Sequence, residues 1–136
     1  MAKSSIVRAL LADDSREFLA AFGQVLAGYD SLVVVGWAVS GRDALEQAGR
    51  LRPDLVFMDI TMPEMDGLEA TRQLKRQPDP PFVAVVTLHD LPEYRAAALA
   101  AGADAFVTMQ HLGRQLPEVF DGAMHRVAPG ASSRAG

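Results

Sequence analysis

The sequence has no cysteine among its 136 residues, and it has no apolar stretch of about 18 residues, the length that a membrane-spanning helix needs. Without cysteine the chain can form neither a disulfide nor a thiolate metal site. Because no signal peptide is apparent either, we expect a soluble, cytoplasmic protein that does not bind membranes. The chain has 13 basic and 17 acidic residues, which give a net charge of -4. They form no basic stripe, so we expect no direct nucleic-acid binding by this chain.

The composition that is present is that of a folded domain. Hydrophobic residues make up 49% and charged residues 22% of the chain, which argues against disorder. The length suits one domain rather than two, and we assign residues 1–127 to it. The last residues, 128–136, read APGASSRAG. Their small and polar side chains predict a flexible tail or the start of an interdomain linker.

Apolar runs alternate with segments of helical spacing along the whole domain. The predicted strands are Ile6 to Ala12, Leu32 to Val39, the run that ends at Asp59, Phe82 to Thr87 and Asp104 to Thr108. A helix is predicted after each strand: Ser15 to Gly28, Ser40 to Leu51, Gly67 to the breaker run at Gln77, Asp90 to Gly102, and about Pro117 to Arg126 with Pro117 in its first turn. The alternation predicts an α/β fold with a doubly wound, five-stranded parallel sheet. Its core is expected to include Trp37, Phe22 and Phe57.

A carboxylate, Asp59, ends the continuous apolar run LVFM of the third strand. Such a run is expected for a central strand covered on both faces, and a charge at its end is costly unless it is paired, hydrogen-bonded or bound to a cation. Asp13 and Asp14 follow the first strand, and Thr87 ends the fourth. If these three strands are neighbours, the four side chains meet at the carboxyl edge of the sheet. Ligand sites of open α/β sheets lie at that edge.

Three carboxylates at one edge repel each other unless a cation neutralises them, and oxygen ligands with this charge suit Mg²⁺. One carboxylate is then free to attack phosphorus, while the Thr87 hydroxyl donates to a phosphate oxygen. Each residue taken singly has a simpler interpretation, which stays open. Asp59 can cap a turn, the acidic pair can cap a helix, and Thr87 can be an ordinary strand residue.

Taken together, these residues resemble the receiver domain of two-component response regulators. The resemblance rests on Asp13-Asp14, on the string MDITMPEMDG from Met58 to Gly67, and on Thr87, and it covers about residues 5 to 127. It implies a (βα)5 flavodoxin-like receiver fold. The segment AGADAF from Ala101 to Phe106 is most similar to the NarL/FixJ-type subfamily, whose receivers usually precede a helix-turn-helix output domain.

The resemblance implies that Asp59 accepts a phosphoryl group from the phosphohistidine of a histidine kinase. It also implies Mg²⁺ as the cofactor, bound by Asp14, Asp59 and the backbone carbonyl of Thr61, with Asp13 assisting directly or through water. On this basis the domain is not expected to be an enzyme.

The resemblance further implies a switch. Thr87 would shift toward the phosphoryl oxygens and Phe106 would rotate inward, although Phe106 can equally be a core aromatic. The change would alter a surface made by the fourth helix, the fifth strand and the fifth helix. That surface would bind a partner or a second copy of the chain as a homodimer.

One position departs from the family. Receivers normally carry a lysine three residues after the switch aromatic, and this position is Met109 here. The two lysines of the chain, Lys3 and Lys75, lie far from strand five in the sequence. A charge-assisted contact of roughly 1.5–3 kcal/mol is therefore missing, and Arg114 and His111 are the candidates to replace it.

Three hypotheses follow. The first is a phosphorylatable receiver in transcriptional signalling, either stand-alone or cut from a longer regulator with a DNA-binding output domain. The second is an atypical receiver that acts as a phosphorylation-independent protein-interaction module, which Met109 favours. The third is an aspartate-nucleophile phosphohydrolase. Such enzymes usually have a second Asp two residues after the nucleophile, and here that position is Thr61, which counts against this hypothesis.

Overall fold

Strands and helices alternate along the chain, in a computed structural model that describes residues 6–127. The first five residues and the predicted tail at 128–136 lie outside the described residues. The elements are β1 (Val7–Ala12), α1 (Arg16–Leu26), β2 (Leu32–Ala38), α2 (Gly41–Leu51), β3 (Leu55–Asp59), α3 (Gly67–Lys75), β4 (Phe82–Thr87), α4 (Pro92–Ala101), β5 (Ala105–Thr108) and α5 (Leu112–Val127), with a 3-10 turn at Met109–His111 before α5. No helix in this part of the chain has the length and apolarity needed to cross a membrane.

All five strands are parallel, in the order β2-β1-β3-β4-β5. This confirms the predicted doubly wound sheet and makes β1, β3 and β4 neighbours. Successive residues of β3 point to opposite faces, so that Phe57 packs with α1 and α5 while Met58 packs with α2, α3 and α4. Because helices cover both faces, the central strands β3 and β4 are apolar up to the residue that ends each of them, Asp59 and Thr87.

The polar residues that the sequence marks as helix ends act as caps. The Ser15 hydroxyl accepts a hydrogen bond from the Phe18 N–H at 3.1 Å, and the Ser40 hydroxyl accepts one from the Asp43 N–H at 3.0 Å. Each bond satisfies an amide that the first helical turn leaves free. Gly102 ends α4 in the left-handed region, with φ of 96°.

The predicted start of the last helix is wrong. Helix α5 begins at Leu112, and Pro117 lies inside it rather than in its first turn. An internal proline removes the hydrogen bond to the carbonyl four residues earlier, here that of Gly113. Both residues are exposed, so water can satisfy this carbonyl. The helix continues because Leu116, Val119 and Ala123 are buried on its other side, and packing of an apolar face outweighs local propensity.

The core prediction is confirmed for two of three aromatic residues. Phe22 and Phe57 are 3% and 2% exposed, with ring centroids 4.9 Å apart in an edge-to-face arrangement. Trp37 is 46% exposed, contrary to the prediction. It lies on β2, which is an edge strand, and its ring lies across Gly23 of α1, where a Cβ atom would be 2.3 Å from the indole.

Candidate functional site at the carboxyl edge of the sheet

Strand register brings the predicted acidic residues together. Ala12 pairs with Met58, so the next residues along these strands, Asp13 and Asp59, come side by side. Carboxylate oxygens of Asp13, Asp14 and Asp59 all lie within 4.8 Å of one another. Asp13 is buried, Asp59 is partly buried and Asp14 is exposed. The cluster is therefore open to solvent on the side of Asp14.

Two glycines allow the loop after Asp59 to pass close to neighbouring backbone. A Cβ atom on Gly67 would lie 1.8 Å from the carbonyl oxygen of Asp59, and one on Gly41 would lie 1.9 Å from that of Met65. The Gly67 N–H donates to the Ile60 carbonyl at 2.8 Å. The loop that carries Thr61 is thus held between the first turns of α2 and α3.

Burial and the neighbouring carboxylates make the charged forms of Asp13 and Asp59 unfavourable. Burial and then the neighbouring Asp13 carboxylate raise the pKa of Asp59 to about 7, against the opposing effect of the Thr61 backbone N–H. Burial also raises the pKa of Asp13, although the Ser15 N–H donates to its carboxylate at 2.8 Å. Three oxygen-bearing side chains with excess negative charge fit a hard divalent cation such as Mg²⁺.

A cavity of about 380 Å³ opens beside the carboxylates. Its lining consists of Asp13, Asp14, Ser15, Phe18, Asp59, Thr61, Thr87, Leu88, His89 and Met109. The Thr87 hydroxyl accepts a hydrogen bond from the His89 N–H at 3.1 Å. Its own proton can therefore be donated to an anion in the cavity.

Met109 lies in the cavity wall, and neither of its proposed substitutes does. His111 Nδ1 is 2.9 Å from the hydroxyl oxygen of Thr108, and Arg114 is exposed on α5. Lys75 binds Asp104 at 2.7 Å and the Pro81 carbonyl at 2.8 Å. Among residues 6–127, no lysine or arginine side chain lines the cavity. Lys3 lies outside the described residues.

Phe106 is partly buried on β5, and its ring is covered by Arg95 of α4. The guanidinium carbon lies 4.5 Å from the ring centroid. Arg95 also binds Asp90 of the β4–α4 loop, with 2.9 Å between Nη2 and Oδ1. Sequence reasoning missed Arg95 and also Phe18 in the cavity wall. The sequence feature that could have indicated Arg95 is Asp90, a residue of opposite charge that lies five residues earlier, just before the start of α4.

The arrangement defines a flavodoxin-like α/β protein with an acidic pocket at the carboxyl edge of its central strands. The family model for the response regulator receiver domain matches residues 9–119, and the chain belongs to this family.

Similar proteins differ in what their names describe. A protein-glutamate methylesterase/protein-glutamine glutaminase of Alkalilimnicola ehrlichii is 41% identical over 122 residues, which cover 82% of this chain and 31% of that protein. The response regulator GacA of Pseudomonas viridiflava is 41% identical over 104 residues, or 76% of this chain and 48% of that protein. The crystal structure of the response regulator domain of Thermotoga maritima CheB superposes with a TM-score of 0.77 and 27% identity, covering 90% of this chain and 96% of that one.

These relatives do not single out the NarL/FixJ-type subfamily, and the chain spans only 31% and 48% of the length of the two curated relatives. The segment on which the subfamily prediction rested has a structural role instead. Gly102 ends α4, while the Asp104 carboxylate accepts hydrogen bonds from the Val83 N–H and from Lys75. These contacts hold the turn between α4 and β5 against β4.

Proposed function

We propose that Asp59 accepts a phosphoryl group from the phosphohistidine of a histidine kinase. An oxygen of the Asp59 carboxylate forms the new bond to phosphorus, the phosphorus–nitrogen bond breaks, and its electron pair returns to the kinase imidazole. The observation that carries the proposal is the cluster of three carboxylates within 4.8 Å, with Asp59 next to a cavity large enough for a phosphoryl group.

The remaining residues of the cavity have supporting roles in this proposal. Asp13, Asp14, Asp59 and the backbone carbonyl of Thr61 hold Mg²⁺, which when bound supplies positive charge next to the transferred group. The Thr87 hydroxyl donates to a phosphoryl oxygen. Phe106 changes position when Thr87 moves, and this changes the surface of α4, β5 and α5.

The receiver controls an output that acts through this surface. A DNA-binding output domain in transcriptional signalling, as predicted from the sequence, is one form of it, and homodimer formation is another. The relative named as a methylesterase suggests a third form, in which a receiver regulates an enzyme domain. We propose no catalysis by the receiver itself, since Thr61 supplies a hydroxyl where a phosphohydrolase needs an acid.

The proposal is tested by intact mass after incubation with acetyl phosphate, with and without Mg²⁺. We expect a Mg²⁺-dependent gain of one phosphoryl group in the wild type and none in Asp59→Asn. A matched control is Asp30→Asn, which removes an exposed carboxylate between α1 and β2, at the other end of the strands. Equal labelling of wild type and Asp59→Asn would contradict the proposal.

A second candidate is a receiver that acts as an interaction module without phosphorylation. It is favoured by Met109 in the cavity wall, which has neither charge nor a hydrogen-bond donor. We expect Met109→Lys to raise the affinity for beryllofluoride by roughly tenfold or more. Gln110→Lys, an exposed neighbour, is the control for added charge. If only Met109→Lys takes up phosphoryl and beryllofluoride, the second candidate replaces the first.

A further inference from the structure

The contact between Arg95 and Phe106 joins helix α4 to the edge strand β5. Its distance of 4.5 Å from guanidinium carbon to ring centroid is within the range of about 6 Å at which a cation and an aromatic face attract each other. Phe106 pairs in register with Val85, so its side chain packs on the face that α3 and α4 cover. Arg95 is exposed while Phe106 is partly buried, and the guanidinium therefore lies between the ring and solvent.

The second partner of Arg95 connects this contact to the acidic cavity. Asp90, 2.9 Å from Arg95, lies in the loop that begins after Thr87. At the start of that loop, the His89 N–H donates a hydrogen bond to the Thr87 hydroxyl at 3.1 Å. A continuous series of contacts thus runs from Thr87 through the loop to Arg95 and on to Phe106.

We propose that Arg95 is a positioning residue that holds the ring of Phe106 in place, and that its ion pair with Asp90 makes this hold depend on the loop after Thr87. The proposal rests on the function proposed above, in which Thr87 turns toward a phosphoryl group. When Thr87 turns, its hydroxyl gives up the His89 N–H, the loop moves with Asp90, and Arg95 no longer covers the ring. This route to β5 needs no cation at position 109.

The effect of the ion pair is geometric. The side chains of Arg95 and Asp90 are 54% and 51% exposed, and an exposed pair of this kind contributes little to stability. It does restrict a long side chain to the conformation in which the guanidinium covers Phe106. Substitution of Arg95 removes the guanidinium from the Phe106 ring, and loss of the Asp90 charge leaves the guanidinium free to move off the ring.

The test is fluorine NMR on protein labelled with 4-fluorophenylalanine. The chain has six phenylalanines, and the resonance of Phe106 is assigned by its loss in Phe106→Leu. Spectra of the wild type, Arg95→Gln and Asp90→Asn are recorded with Mg²⁺, before and after addition of beryllofluoride. Arg50→Gln, an exposed arginine on α2, is the control for the loss of one positive charge.

We expect Arg95→Gln and Asp90→Asn to move the Phe106 resonance before beryllofluoride is added, toward its position in the beryllofluoride-bound wild type. The ratio of covered to uncovered ring should change by about two- to fivefold. The other five resonances and the spectrum of Arg50→Gln should match the wild type. If the wild type ignores beryllofluoride but both variants move Phe106, the hold by Arg95 stands and the phosphoryl function fails. A Phe106 resonance that is unchanged in either variant overturns the proposal.

Discussion

At the scale of single residues, the surroundings of Asp59 destabilise its charged form. Its pKa of about 7 follows first from burial and then from the charge of Asp13. The folded chain therefore favours the neutral acid, whereas the unfolded chain has the ordinary value near 3.8. The stability that the group contributes is complete below the unfolded pKa and is lost as the pH rises through about 7. A cation or a covalent phosphoryl group changes this balance.

We expect Asp59→Asn to be more stable than the wild type at pH 8 in the absence of Mg²⁺, by about 1–2 kcal/mol after allowance for solvent screening. The difference should shrink between pH 7 and pH 4, because the wild-type carboxyl is then increasingly neutral. Urea unfolding at several pH values measures it. Mg²⁺ should stabilise the wild type more than the variant at pH 8. A difference that does not depend on pH would contradict the assigned origin of the pKa.

At the scale of elements, helix side chains form hydrogen bonds with backbone groups that the edge strands leave unpaired. The two edge strands each have a glutamine from the helix that follows. Gln47 of α2 donates to the Trp37 carbonyl of β2 at 2.6 Å. Gln115 of α5 accepts from the Thr108 N–H of β5 at 3.1 Å. These bonds satisfy backbone groups at the carboxyl ends of the edges, which are otherwise free to pair with another chain.

The first turn of α3 limits the loop that follows Asp59. We expect Gly67→Ala to destabilise the protein by about 2–4 kcal/mol, because the added methyl group overlaps the Asp59 carbonyl and the backbone must move. Uptake of the phosphoryl group by Asp59 should fall as well. Thermal unfolding and intact mass after acetyl phosphate measure the two effects.

Gly49→Ala is the matched control, since a Cβ atom at this exposed position of α2 meets nothing within 4 Å. Its expected effect is a gain of about 0.5–1 kcal/mol, the ordinary preference of a helix for alanine. Equal effects of the two substitutions would show that the close approach of Gly67 to Asp59 is not what determines stability there.

At the scale of the whole molecule, the Arg126 side chain connects the end of α5 to the edge of the sheet that lies opposite the acidic cavity. Arg126 donates to the Asp54 carboxylate at 3.1 Å and to the Pro80 carbonyl at 2.8 Å. Asp54 also accepts from the Arg8 N–H at 2.9 Å. The side chains of Arg126 and Asp54 are 23% and 19% exposed. This network joins the starts of β1 and β3 to the last turn of α5.

We expect Arg126→Ala to lower the free energy of unfolding by about 1–3 kcal/mol, because Asp54 then lies partly buried without its cation. Phosphoryl uptake by Asp59 should stay at the wild-type level, since the network is at the other end of the strands. Arg114→Ala, an exposed arginine on the same helix, should change stability by less than about 0.5 kcal/mol. A loss of stability in Arg114→Ala as large as in Arg126→Ala would contradict the assigned role of the network.

The sequence by itself determined the order of strands and helices and the residues of the acidic cluster, because both depend on local patterns. Apolar runs of strand length alternate with capped helices, and Ser40 and Gly102 mark ends that the structure keeps. Asp59 after a buried run and Asp13 after another predicted a site at one edge. Whether these carboxylates meet depended on β1 and β3 being neighbours, which the sequence left as a condition.

Tertiary structure alone decided the features that depend on contacts between distant segments. Trp37 is exposed because β2 lies at an edge of the sheet, and no local sequence pattern specifies the order of the strands. Helix α5 continues through Pro117 because its apolar face packs on the sheet. Arg95 reaches Phe106, and Met109 lies in the cavity wall, only after α4 and the turn before α5 have packed against β5. Such contacts join separate elements of the fold, so the spacing within one element cannot predict them.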